Sequence, residues 1–183
     1  GEWLQIGHIT VRPASSGCGE LESSALNVLA LPLAGVFAKH DGPRQHAIAT
    51  PHHALLISAR QPYRISFPGC IGDRCLALRF SSQALAHAMP EAMSGDGFDL
   101  TTFSAQAVLP PATMLARSRL WQRLDRGEID ALEAEERGID LLEAALCAAR
   151  RQHAPAQPRA RAARDGGGSW RRVRPVVRTI EAI

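Results

Sequence analysis

The chain has 183 residues, of which 45% are hydrophobic, 21% charged and 5% aromatic. That is the composition of a globular protein of one domain, or of one domain with an appendage. No run approaches the ~18 uninterrupted apolar residues of a membrane span, and Gly1-Glu2-Trp3-Leu4 lacks the basic-then-apolar layout of a signal peptide. Cys18, Cys70, Cys75 and Cys147 show no metal-knuckle spacing and are too few for a disulfide scaffold. Membrane, small secreted and fibrous classes are excluded, and a cytoplasmic protein with reduced thiols is expected. The net charge of +3 is unevenly placed: residues 1–149 hold 12 Lys+Arg against 16 Asp+Glu, whereas residues 150–183 hold 9 against 2. A mildly acidic body precedes a basic segment.

From Leu4 to Phe80 the chain reads as short strands separated by turn residues. Ile6–Val11 alternates in polarity, and Pro13–Gly19 breaks the pattern. Leu26–Leu33 is largely apolar and continues as Gly35–Lys39 past a Pro/Gly kink. Asp41-Gly42-Pro43 is a turn signal, because glycine supplies the positive φ that tight hairpins require. Gln45–Ala49, Ala54–Ser58, Tyr63–Phe67 and Arg74–Phe80 follow, separated by Thr50-Pro51, Gln61-Pro62 and Pro68-Gly69. Strands at this spacing predict a small antiparallel barrel or sandwich. In the last of them Cys75, Ala77 and Arg79 face one way and Leu76, Leu78 and Phe80 the other; one strand alone does not reveal which face is the interior.

After Phe80 the period becomes helical. Ser81 is placed to cap a helix to about Met89, ended by Pro90, and residues 94–110 read as a loop with room for one strand. Pro111 opens a helix to about Asp125, with Gly127 as its stop. Asp130 and Glu133 resemble a capping box at the start of a second helix to about Arg151. In that helix Leu132, Ile139, Leu142, Leu146 and Ala149 form one apolar stripe, with charges mostly on other faces. The short joint implies an antiparallel helix pair. Residues 152–169 contain no large apolar side chain and read as a flexible linker. Val173, Val176, Val177, Ile180 and Ile183 then return to helical spacing, which is expected of the opening of a further domain.

These stretches, taken in order, resemble the N-terminal sensor region of AraC-type transcriptional regulators, in the branch with a cupin-like barrel. Cys18 follows the first strand, and Leu29–Phe37 looks like the branch's apolar strand pair. Ala49-Thr50-Pro51-His52-His53-Ala54 matches its small-Pro-polar lead into a strand. Gln61-Pro62-Tyr63-Arg64 and Gly72-Asp73-Arg74-Cys75 complete the barrel pattern, and Asp130–Glu136 resembles the acidic opening of the last sensor helix. The resemblance covers roughly residues 4–151, and 171–183 is similar to the first helix of the family's DNA-binding domain. It implies an α+β fold, a small antiparallel cupin-like β-barrel followed by an antiparallel α-helix pair. The divisions it implies are an effector-sensing barrel (1–110), a helical dimerisation segment (111–151), a flexible basic linker (152–170) and the start of a missing helix-turn-helix domain (171–183). A small-molecule effector and a homodimer are expected, with DNA reached only through the missing domain, since base readout needs side chains in the major groove.

Site residues follow from this frame. Barrel interiors are mainly apolar with a few polar groups that orient a ligand. Phe37, His53, Tyr63 and Arg79 are the candidates, because they bring large or polar side chains to strand positions. Leu132, Ile139, Leu142 and Leu146 are the expected dimer anchors, although packing within the subunit would bury the same stripe. A metal-dependent cupin enzyme is the alternative from another class. The metal-binding cupin pattern places two histidines two residues apart, then a glutamate, whereas His52 and His53 are adjacent and no glutamate follows before the next strand. There is no Gly-x-Ser-x-Gly elbow, no His-Glu-x-x-His and no phosphate loop. No enzyme, no cofactor and no metal are therefore expected. Cys18, Cys70 and Cys75, converging with His53, are weak candidates for a thiol or soft-metal sensor. The arginines of 150–178 could draw phosphates without specificity or serve only as a solvated linker.

Overall fold

The computed structural model describes residues 4–42, 44, 46–88 and 106–153. Eight strands, β1 (Leu4–Val11), β2 (Asn27–Gly35), β3 (Phe37–His40), β4 (His46–Ala49), β5 (His53–Ile57), β6 (Arg64–Ser66), β7 (Asp73–Phe80) and β8 (Gln106–Val108), are accompanied by three helices, α1 (Ser82–Ala88), α2 (Pro111–Asp125) and α3 (Ala131–His153). The strands form a five-stranded sheet in the order β1-β7-β2-β5-β8 and a three-stranded sheet in the order β4-β3-β6, with antiparallel pairing throughout. The architecture is β-rich, two antiparallel sheets with a few helices.

The chain crosses from one sheet to the other at the expected Pro/Gly kink. Pro32, which has no N–H to give a ladder, sits at a register shift in the β2–β7 pairing. Gly35 has φ +80°, and a Cβ there would stand 2.1 Å from the Gly72 carbonyl oxygen, so only glycine permits β2 to turn away and continue as β3 in the smaller sheet. β3 and β4 then form the hairpin that Asp41-Gly42 announces.

Alternation along the strands sorts side chains into two cores. Leu29 and Leu31 of β2, Ala54 and Leu56 of β5, and Leu76, Leu78 and Phe80 of β7 meet Leu120 of α2 and Leu141, Leu142, Ala145 and Leu146 of α3. Val28, Ala30, Leu55, Ile57, Cys75 and Ala77 of the same strands meet Phe37, Ala49 and Tyr63 between the sheets. The face of β7 carrying Cys75, Ala77 and Arg79 is thus the barrel interior, and the leucine face lies under the helices.

Local chemistry ends the helices where expected. Ser81 Oγ accepts the Ala84 N–H at 2.9 Å ahead of α1. α2 closes in a Schellman motif, with Glu128 N–H bonded to the Arg123 carbonyl, Gly127 N–H to that of Leu124, and Gly127 at φ +65°. Asp130 Oδ1 accepts the Glu133 N–H at 2.9 Å, but the capping box is only half made. The Glu133 carboxylate turns instead to Arg123, whose guanidinium also donates to the Glu128 carbonyl. α2 is fastened to the barrel by Arg117, which is buried and donates from Nη1 to the Pro32 and Pro51 carbonyls at 2.5 and 2.8 Å.

Two sequence expectations need correction. Leu142 and Leu146 were expected to anchor a dimer, yet both are buried against the sheet of their own chain, at 2% and 0% exposure. The outer sheet face is itself apolar and takes the stripe; Ile139 is half-buried at the margin of the same core, and only Leu132 stands out, at 69% exposed. The linker was expected to begin at residue 152, whereas α3 continues to His153, with Gln152 bonded through its side-chain amide to both backbone groups of Val108. The rest of that segment, the helix opening at 171–183 and the Pro90 stop lie outside the described residues. Because the helix–sheet seam is closed within one chain, Leu146→Ala should cost about 2–5 kcal/mol in urea unfolding, the range for truncating a fully buried leucine.

Candidate functional site

Inside the barrel lies a cavity of about 710 Å³, within the range of small-molecule sites. Side-chain size explains it. The interior face of the large sheet carries Val28, Ala30, Ile57, Cys75 and Ala77, against the leucines and phenylalanine on the other face. These short side chains pack with Phe37, Ile65 and Phe67 in one cluster, yet leave part of the space between the sheets open. The segment from Pro13 to Ala25, read from sequence only as a break between strands, supplies a further wall through Pro13, Ala14, Cys18 and Glu22.

Among the polar groups of this lining, Glu22 and Tyr63 lie near Arg79 of β7, and Asp73 stands at the start of that strand. At one end, burial and the adjacent Glu22 carboxylate, to which its hydroxyl bonds, push Tyr63 above the ordinary tyrosine range, while the charge of Arg79 acts the other way. Behind Tyr63 the chain's one lysine, Lys39, is wholly buried, ion-paired with Asp41 and 5.9 Å from the Tyr63 ring centroid. Asp73, six residues before Arg79 on the same interior face, lies about 20 Å from it along an extended strand. Its carboxyl is buried and is pushed up to about 6 by that burial. Beside it the Cys75 thiol is pushed up to about 12 by burial and then by the Asp73 charge, which makes it a neutral, unreactive wall group.

Of the four residues expected to line the site, Phe37, Tyr63 and Arg79 do so, Arg79 from an exposed position. His53 does not. It opens β5 at the turn from β4, where its Nδ1 lies 2.9 Å from Thr50 Oγ1, and burial followed by the neighbouring His52 lowers its pKa. Cys18 and Cys75 reach the cavity, whereas Cys70 is exposed outside it and the expected convergence of thiols on His53 does not occur. Among the described residues no group of three or more His, Cys, Asp or Glu comes together as a metal site. Asp73 and Glu22 escaped the sequence reading. Extending the Cys75, Ala77, Arg79 alternation two residues back would have found Asp73.

No protein-family model and no curated protein matches the sequence. Among solved structures, apo ToxT from Vibrio cholerae strain SCE256 matches with a TM-score of 0.59 at 6% identity, over 81% of this chain and 56% of that one. The chain shares its fold with ToxT, an AraC-family regulator. It spans little more than half of ToxT's length. A cupin superfamily protein from Desulfitobacterium hafniense DCB-2 matches at TM-score 0.36 and 17% identity, over 45% of this chain and 71% of that one. An RmlC-like cupin from Methanocaldococcus jannaschii gives 0.38 and 10%, over 48% and 78%. No helix among the described residues is long and apolar enough to cross a membrane.

Asp73 also sets a pH dependence. Its folded-state pKa of about 6 stands above the ordinary 3.8. Between those values the native state holds a proton that the unfolded chain has released, so stability falls as pH rises through that window. The full cost, on the order of 3 kcal/mol, is reached above it. Asp73→Asn should therefore be more stable than the parent protein in urea at pH 7.5 and no more stable at pH 4.

Proposed function

We propose that the chain is the effector-sensing part of an AraC-type transcriptional regulator. It binds a small molecule in the barrel and has no catalytic role. The observation that carries this reading is the cavity itself, enclosed by the interior face of a ToxT-like fold and lined by apolar groups with a few polar ones. In this reading residues 1–110 sense the effector and the helical segment from 111 couples it to a partner subunit. The basic stretch after α3 is a linker, and 171–183 begins the DNA-binding domain through which alone DNA is gripped.

The route from ligand to helices runs through shared strands. β2 lines the cavity with Val28 and Ala30 on one face and packs Leu29 and Leu31 under the helices with the other. Its Pro32 carbonyl is held by Arg117 of α2. β7 does the same with Cys75 and Ala77 inward and Leu76 and Leu78 outward. A ligand that prefers one spacing of the two sheets therefore prefers one seating of α2 and α3, and such differential affinity is what shifts a conformational equilibrium. The homodimer belongs to the same reading, with Leu132 as the exposed apolar anchor left to it.

A thermal-shift screen of metabolites tests the site. An effector should raise the melting temperature by mass action, with about 2.7 kcal/mol of added stability at a hundredfold excess over Kd. Ala77→Phe, which projects a ring into the cavity, should remain folded and lose the shift. A shift that survives this substitution would place the ligand elsewhere. For the dimer, Leu132→Glu should yield monomers in analytical ultracentrifugation, and an unaltered dimer would reject that anchor.

A further inference from the structure

We infer that the cavity takes an amphipathic cation, a small molecule with an apolar body and one ammonium group that docks on Asp73. The inference rests on the effector-site reading above and adds the chemical class of the occupant.

Three observations on the cavity lead to it. First, the charged residues that line the cavity are Glu22, Asp73 and Arg79, two acids and one base. Glu22 and Arg79 offset one another only in net charge, which leaves the lining with one negative charge in excess. Second, Asp73 is nine-tenths buried and lines the cavity. Its carboxyl has neither a hydrogen-bond nor an ion-pair partner among the described residues, and its oxygens open on the cavity instead of being sealed in the core. The interior position two residues on is Cys75, whose hydrogen goes to the Leu76 carbonyl at 3.4 Å. The residues paired with Asp73 across β1 and β2 are Val11 and Gly35, which offer it no side-chain donor. Third, the lining between the two ends is Val28, Ala30, Phe37, Ile65 and Ala77, which suits a hydrocarbon or aromatic body.

A buried polar group without a partner is costly, and a buried charge more so. The occupant that relieves this one supplies donors and positive charge together, as an ammonium does. A carboxylate would bring a second anion to the same place, and a neutral apolar molecule would leave the carboxyl desolvated further. The burial that raises Asp73 towards neutral pH is the same unmet demand seen from the protein side.

Three probes that differ only in their head group test this on the full 183-residue chain: n-hexylamine, n-hexanol and n-hexanoate, titrated calorimetrically at pH 7.5. The amine should bind at least tenfold more tightly than the alcohol, and hexanoate more weakly than either. Asp73→Asn should remove the amine's advantage and leave alcohol binding within about twofold of the parent value. The variant should also melt no lower than the parent, so that a lost amine signal is not a lost fold. Amine binding no tighter than alcohol binding, or an advantage that survives Asp73→Asn, overturns the cationic class while the cavity stands as an apolar site. Failure of all three probes to bind overturns the inference and counts against the effector-site reading as well.

Discussion

The five-stranded sheet is apolar on both faces, and the rest of the molecule answers to that fact. A sheet with one apolar face can leave the other to water, but here Leu29, Leu31, Leu56, Leu76, Leu78 and Phe80 line one side and Val28, Ala30, Leu55, Ile57, Cys75 and Ala77 the other. Both must be covered. The smaller sheet covers the second set, while α2 and α3 cover the first, which is why the apolar stripe of α3 is consumed within its own chain. The two faces also differ in bulk. Leucine and phenylalanine on the outer side fill the space to the helices, whereas Val28, Ala30, Cys75 and Ala77 on the inner side leave part of the space between the sheets open. The cavity is the volume that those short side chains leave unfilled.

A sheet shared between two cores also ties their geometries together. Interiors packed to near-crystalline density transmit a displacement instead of absorbing it, and no layer separates the cavity wall from the helix seam. Arg117 adds a polar link to this apolar one. Its guanidinium reaches the Pro32 carbonyl on β2, where missing backbone N–H and a register shift loosen the ladder, and the Pro51 carbonyl in the turn before β5. Burial pulls its pKa below the ordinary arginine value, and one nitrogen, Nε, has no partner among the described residues. The attachment of α2 is thus polar, buried and incompletely satisfied.

Much of this organisation could be read from the residues, and the failures have a common cause. Turn residues marked the strands well: Asp41-Gly42, Thr50-Pro51, Gln61-Pro62 and Pro68-Gly69 each fall between observed elements, because glycine and proline act through their own backbones. The helix starts and the Gly127 stop were legible for the same reason. Short β8 was legible only as room for one strand within 94–110, since Gln106–Val108 is set by pairing with β5, which no local pattern locates. The stripe of α3 was legible as buried but not as buried against what. Leu142 and Leu146 show that periodicity names the covered face and leaves the covering partner open. Phe37, Tyr63 and Arg79 could be guessed as cavity residues from chemistry at strand positions. His53 could not be rejected, because its place at a strand end beside Thr50 is a matter of register.

Asp73 joins the ligand question to the stability question. A carboxyl buried without a partner costs on the order of 3 kcal/mol at neutral pH, a sizeable share of the 5–15 kcal/mol by which domains of this kind are stable. The cost falls at the first residue of β7, the strand that is paired with both β1 and β2 and packs the helix seam through Leu76, Leu78 and Phe80. An occupant that neutralises the carboxyl returns this energy to the same strand. Ligand binding would then tighten the element on which the helices sit, so that the pairing of one charge in the cavity is felt at the helix seam.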